Sequence, residues 1–279
     1  MVMALRPTYF WIPCSLCLFA ARHAAHGAFE PFAEGARSAG RGEAVAACSG
    51  DVWIVFLNPA VLPTVGERRL SVTVVPHRFG LRELGRAAFV YAEPFPWGCL
   101  SLGGTKSGFD LYKELTLKGA CGFNLAGDLQ LGIAVTWYHL SIAGYGSAWT
   151  VGVDAGLRLL LSEVFACGVA ASNINAPAVG SAREKIPQAF STGIMASPLE
   201  SVHLSLDLIK DVRFPACLKM GVEVSLLETL ALRCGTSTDP SMVACGLGLT
   251  ALFMQIDYAM TYHSVLGMTH LFTFSLSLE

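Results

Sequence analysis

The sequence predicts an all-β fold: a fourteen-stranded antiparallel transmembrane β-barrel with an N-terminal hatch folded inside the lumen. Three observations point there. The chain of 279 residues is 53% hydrophobic and only 14% charged, with a mean hydropathy of +0.52, whereas soluble domains carry roughly 25% charged residues. Past residue 30 no run reaches the roughly 20 consecutive apolar residues that a helical span needs. Instead, from Arg69 onward apolar residues alternate with small or polar ones, the period of strands with two unlike faces.

The elements follow in order. Residues 1–27 read as a secretory signal peptide: Arg6 is the positive start, 8–21 is apolar, and Ala25-His26-Gly27 places small residues at −3 and −1. Residues 28–66 are rich in Gly and Ala and lack alternation. Gly35, Gly40, Gly42 and Gly50 permit tight turns, and Asn58-Pro59 is a turn signal. Such a stretch has no core of its own and must lean on another surface.

Residues 67–279 read as the barrel. Val151, Val153, Ala155, Leu157, Leu159 and Leu161 share one face, with Gly152, Asp154, Gly156 and Arg158 on the other. Val202, Leu204, Leu206 and Leu208 oppose His203, Ser205 and Asp207, while Val222, Val224 and Leu226 oppose Lys219, Gly221 and Glu223. Met254, Ile256, Tyr258 and Met260 oppose Gln255, Asp257 and Thr261. Tight turns near Pro96, Gly127, Ser162, 198–200, Leu227 and Leu252 alternate with longer connections at 77–85, 106–113, 142–147, 174–187, 210–214, 237–241 and 262–268. Short and long connections in alternation are the mark of an up-and-down membrane barrel. The spacing predicts strands at 69–76, 86–93, 97–105, 114–126, 129–141, 148–161, 164–173, 188–197, 201–209, 215–226, 229–236, 242–250, 252–261 and 269–278. Twelve strands is the alternative, because 69–105 is the least regular part. A lumen of this size needs filling, which gives 28–66 a place.

Composition excludes several functions. A formal charge of −2 leaves no basic footprint for nucleic acid. Of nine cysteines, Cys14 and Cys17 lie in the leader; the other seven are scattered and read as small apolar strand residues, with one disulfide involving Cys48 left open. His139, His203, His263 and His270 lack metal-ligand spacing, so no metal or cofactor is expected. No nucleophile, base and orienting group are arranged together, which argues against an enzyme.

Gly35-Ala36-Arg37, Ala39-Gly40, Gly42, Ala44, Asp51 and Asn58-Pro59-Ala60 followed by Leu62 resemble the N-terminal hatch of the FadL-like outer-membrane proteins. That superfamily includes the long-chain fatty-acid transporter FadL, the PorV/PorQ-like barrels and related spirochaetal proteins. Asp257-Tyr258-Ala259, Leu266-Gly267 and Thr269-His270 resemble the group's ending, and Phe272, Phe274, Leu276 and Leu278 resemble an outer-membrane assembly signal, with Glu279 appended. The chain departs from the pattern at Glu43, where a glycine is common, and in its brief outer loops. The resemblance implies a fourteen-stranded barrel with an internal hatch, in the outer membrane of a diderm bacterium and in contact with its lipid. It implies transport of hydrophobic compounds, foremost long-chain fatty acids or similar lipids, with exit sideways through the wall. The alternative it implies is a PorV/PorQ-like partner or scaffold for secreted proteins, with no transport.

Candidate residues follow. Asn58, Pro59 and Ala60 are either the hatch elbow or an ordinary turn into the first strand. Arg37 either pins the hatch to Asp154, Asp207, Glu223 or Asp257, or is solvated. Asp154, Arg158, Asp207, Lys219, Glu223, Arg233 and Asp257 line the lumen, as paired structural charges or as an electrostatic path. Phe29, Phe32, Trp53 and Phe56 either line an apolar pocket or pack on the wall. Trp97, Trp137, Tyr138, Trp149 and Tyr258 read as interface aromatics.

Overall fold

The computed structural model describes residues 27–278; the leader expected over 1–27 therefore lies, apart from Gly27, outside the described residues. Alternation of outward apolar and inward small or polar residues builds the wall. Its strands are β1 Arg68–Val75, β2 Arg86–Phe95, β3 Gly98–Phe109, β4 Tyr112–Ala126, β5 Leu129–Ile142, β6 Gly146–Leu160 and β7 Phe165–Ser172. A two-stranded ribbon, β8 Ala178–Val179 with β9 Glu184–Lys185, interrupts the series. The wall resumes with β10 Ala189–Leu199, β11 Val202–Asp211, β12 Ala216–Leu227, β13 Leu230–Thr238, β14 Ser241–Ala251, β15 Met254–His263 and β16 Gly267–Leu278.

Each wall strand pairs antiparallel with its neighbours, and β16 closes on β1 from Arg68↔Leu278 to Val74↔Phe272. The closed barrel thus has fourteen strands, not the alternative twelve. Closure leaves no unpaired edge facing lipid, where an unmet backbone group is costly. Outward positions such as Leu102, Ile133, Ile194, Leu206, Ile256 and Phe272 are exposed and apolar. Tyr138 departs from the expected interface ring: it points inward, its hydroxyl 3.1 Å from Asn173 Oδ1.

The connections correct one expectation. Two that were expected to be long are two-residue turns, Asp110-Leu111 and Asp239-Pro240, so long and short do not alternate strictly. Ladder pairing runs through Gly108↔Lys113 and Ser237↔Met242, although both stretches read as polar loop. The long connections, 76–85 and 173–188, lie at the end opposite Arg68 and Leu278, here called the outer end.

Residues 28–65 are not featureless. They form a short helix α1 (Ala36–Gly40) and two 3₁₀ turns, Val52–Phe56 and Pro59–Thr64. The Asp51 carboxylate accepts the Trp53 N–H at 3.1 Å, and Asn58 Oδ1 accepts the Ala60 N–H at 3.0 Å, so each turn starts on a side-chain cap. α1 lies against β13–β16, while Pro59–Thr64 lies against β3–β6 on the far side of the lumen. Approach is close where the wall has no side chain. A Cβ at Gly235 would run into the main chain of Arg41 and Gly42, and one at Gly132 into Pro59 and Ala60. The apolar cores therefore form between this segment and the inner wall. Trp53, Val55 and Leu62 meet Val90, Ala92 and Cys99; Val45, Cys48, Ile54 and Val61 meet Ala166 and Met195; Ala36 and Ala39 meet Val75, Ala259 and Leu271. Cys48 and the other six described cysteines are free.

Candidate functional site

Inward alternation brings the seven expected lumen charges to the inner wall, and the N-terminal segment provides most of their partners. Asp207 Oδ2 accepts the Val45 and Ala46 N–H groups at 2.6 and 2.7 Å. Arg158 donates to the Ala47 carbonyl at 2.8 Å. Lys219 Nζ meets Glu43 at 2.6 Å, and Asp154 holds Lys118 at 2.7 Å. Asp257 accepts from Arg233 at 2.6 Å, and Arg233 reaches Glu223 at 2.5 Å. The buried charges are thus compensated in two ways: Arg158, Asp207, Lys219 and Glu223 meet the inner segment, while Asp154, Arg233 and Asp257 pair within the wall.

Arg37 meets Glu223, one of its four candidate partners, through Nε–Oε2 at 3.0 Å and Nη2–Oε1 at 2.6 Å. Its Nη1 also donates to the Gly50 carbonyl at 3.0 Å. Arg41, which lacks any periodic pattern to mark it, is 2% exposed and lies between Asp51 (3.8 Å) and Glu223 (4.0 Å). Glu34 pairs with Arg86, again unmarked by the sequence. Glu43 has φ 63°, the left-handed backbone that glycine favours, and its carboxylate is spent on Lys219. That reconciles its departure from the glycine expected there.

Asn58 is fully buried and ties two loops together: Nδ2 donates to the Ala46 carbonyl at 2.7 Å while Oδ1 caps Ala60. Pro59 and Ala60 follow at the first positions of the 3₁₀ turn.

Two cavities open at the outer mouth. The larger, about 270 Å³, is lined by Phe32, Phe79, Phe214, Pro215, Met242 and Leu266, with Glu43, Arg78, Arg213 and Lys219 at its margins. The smaller, about 170 Å³, is lined by Phe29, Phe32, Phe56 and Tyr138 with Glu34, Arg86, Lys118 and Asp154. Glu30, Pro31 and Phe32 line both, as do Glu43, Pro187 and Lys219, so the two cavities adjoin. Phe29, Phe32 and Phe56 therefore line cavities. Trp53 does not: it stacks on Phe56 at 6.0 Å, and its Nε1 donates to Ser71 Oγ at 2.8 Å on the wall. The cavity cations face carboxylates: Arg78–Glu30 at 3.4 Å, Lys219–Glu43 at 2.6 Å and Arg213–Asp211 at 3.7 Å. Among the described residues no cluster of His, Cys, Asp and Glu could hold a metal ion.

A closed antiparallel barrel with an apolar outer belt, an N-terminal segment packed on its inner wall and cavities at one mouth defines a membrane β-barrel. Comparison with solved structures makes the fold specific. The barrel is similar to the Ralstonia pickettii toluene transporter TbuX, with 13% identity, 88% of this chain and 98% of that chain covered, and a TM-score of 0.65. It is similar to the P. putida toluene transporter TodX, with 14% identity, 89% and 100% covered, and a TM-score of 0.66. It is also similar to a Pseudomonas aeruginosa FadL homologue, with 13% identity, 86% and 97% covered, and a TM-score of 0.60. No protein-family model and no curated protein matches the sequence. The chain has the FadL-like barrel fold, as its N-terminal motif implied.

Proposed function

We propose that this chain is an outer-membrane transporter for small hydrophobic compounds, with residues 28–66 acting as a hatch and 67–279 as the barrel. The observation that carries this reading is the aromatic and proline-lined cavity of about 270 Å³ at the outer mouth, which abuts the segment that fills the lumen. A volume just below the range of about 300–1,000 Å³ for drug-sized ligands suits a small apolar molecule. Apolar compounds gain by leaving water for such a lining. The similarity to transporters whose names specify toluene supports the reading.

The cargo is neutral in this proposal. Arg78, Arg213 and Lys219 at the larger cavity each face a carboxylate, so a fatty-acid carboxylate would have to displace Glu30, Asp211 or Glu43. Long-chain fatty acids are therefore the weaker substrate. In this reading the Arg37–Glu223 and Glu43–Lys219 pairs, which join the segment to the wall, break as the hatch moves.

Equilibrium binding of labelled toluene and of oleate to the purified protein tests the reading, with Phe32→Arg as the altered cavity. Saturable toluene binding that Phe32→Arg abolishes is the expected result. No saturable binding of either compound would favour the alternative, a scaffold for secreted proteins, for which the cavities have no role.

A further inference from the structure

Ala28 and Phe29 lie in an acidic corner of the outer mouth. The Ala28 N–H donates to Glu184 Oε1 at 3.2 Å, and the Phe29 N–H donates to Glu114 Oε1 at 2.9 Å. Glu114 also accepts from the Tyr112 hydroxyl at 2.6 Å and the Ser107 hydroxyl at 3.2 Å. All of these donors are neutral. The neighbouring carboxylates Glu30, Glu34 and Glu43 each face a cation, in Arg78, Arg86 and Lys219. Among the described residues no side-chain cation forms an ion pair with Glu114 or Glu184. Glu184 is exposed and Glu114 partly buried, but the main chain that they meet is covered. Ala28 is 5% exposed and Phe29 8%, beneath Val179 and Ile186 of the 173–188 connection.

Arg86 acts on Glu114 through space, and a cation for Glu184 is available from the chain itself. Ala25-His26-Gly27 places small residues at −3 and −1 of a cleavage between Gly27 and Ala28. We infer that removal of the leader at this bond creates an α-ammonium on Ala28 that pairs with Glu184 and fastens the mature N-terminus beneath the outer loop, with Glu114 alongside. The covalent step is a peptide hydrolysis by an exported-protein signal peptidase. Water adds across the Gly27–Ala28 bond, the C–N bond breaks, Gly27 leaves as a carboxylate on the leader, and the Ala28 amine takes up a proton. An α-amino group with a pKa of about 7.7–8.0 is mostly charged at neutral pH.

The geometry suits the exchange. A Cβ on Gly27 would collide with Glu184 Oε1, so the carboxylate lies directly against this peptide unit. Departure of Gly27 leaves room for the added N–H groups, and an ionised donor makes a shorter, stronger bond to a carboxylate than an amide does. A buried ammonium needs such a partner, and the two carboxylates are already in position. The inference rests on export of the chain and not on the identity of any cargo.

Intact mass and N-terminal sequencing of protein purified from outer membranes, followed by amine labelling near neutral pH, test it. The expected result is a chain that begins at Ala28, with an α-amine protected in the folded barrel and reactive once the barrel is denatured. Glu184→Gln combined with Glu114→Gln is expected to raise labelling of the folded protein by about tenfold, because the amine then reacts through easier local opening. Insertion of one glycine between Gly27 and Ala28, which leaves both carboxylates in place, is expected to give the same gain. A different first residue, or an α-amine that labels equally fast folded and denatured, would overturn the inference. Neither reading involves transport, so failure here is separable from failure of the proposed function.

Discussion

Arg37 of α1 and Glu223 of β12 form a two-bond ion pair, Nη2–Oε1 2.6 Å and Nε–Oε2 3.0 Å, that joins the segment inside the lumen to the wall. Glu223 also receives Arg233 at 2.5 Å and lies 4.0 Å from Arg41, so three guanidinium groups share it, of which Arg233 also has Asp257 and Arg41 also has Asp51. Glu223→Gln leaves Arg37 without its carboxylate and takes one of two from Arg233 and Arg41. The expected loss is about 3–5 kcal/mol of stability, the cost of breaking a buried pair on one side. Urea titration of the barrel in lipid vesicles, read by gel mobility, measures it. A loss below about 1 kcal/mol, the value of a surface pair, would mean that water already screens the cluster.

Asn58 spans Ala46 and Ala60 from a fully buried position. Asn58→Ala removes a cap and leaves the Ala46 carbonyl without its donor, at an expected cost of about 1–3 kcal/mol. Because both partners lie in residues 28–65, the loss falls on the inner segment before the wall. Limited proteolysis is expected to cut that segment sooner in the variant, with heat-modifiable barrel migration unchanged.

Gly235 offers a steric test. A Cβ there would collide with the Arg41 and Gly42 main chain, whereas one at Gly119 on β4 meets nothing within 4 Å. Gly235→Ala is expected to displace the inner segment and raise ion conductance in planar bilayers, and Gly119→Ala is expected to leave it closed. Equal conductance of the two variants would contradict the close approach.

How far the sequence speaks is visible in these residues. Strand positions were legible because period two is local: the expected 164–173 is observed as Phe165–Ser172, and Asp154, Asp207, Glu223 and Asp257 turn inward with the small residues around them. The partner of Arg37 was not legible, since four inward carboxylates met the same rule and only the seat of α1 on β13–β16 brings Arg37 to Glu223. Arg41, Glu34 and Lys118 escaped notice for a related reason. The first two lie in a segment with no period, and Lys118 pairs with a strand two away in the chain. Trp53 and Phe56 are three residues apart, yet one packs on the wall and the other lines a cavity. Composition cannot separate them.

Glu43 gives the inner segment a pH dependence. Burial by itself raises its carboxyl, but the Lys219 ammonium and the hydrogen bonds from Lys219 and the Ala33 N–H outweigh that effect and hold it below the ordinary carboxylate range. A depressed folded value stabilises fully above the unfolded value of about 4.3 and is lost as pH falls through the folded one. Protection of 28–65 from proteolysis is thus expected to be flat from neutral pH down to the carboxylate range and to fall below it. Glu43→Gln is expected to lose protection at neutral pH and to show a weaker acid step.

The central claim, passage of a small hydrophobic compound, is tested most directly by uptake of labelled toluene into cells that lack their own hydrophobic-compound transporter. Expression of the wild-type chain is expected to speed uptake at low external concentration. A variant with α1 cross-linked to β14 through cysteines at Gly40 and Gly246, where the two main chains approach closely, is expected to lose that gain until the link is reduced. Uptake no faster than in cells without the barrel, or uptake undiminished by the cross-link, would contradict the account.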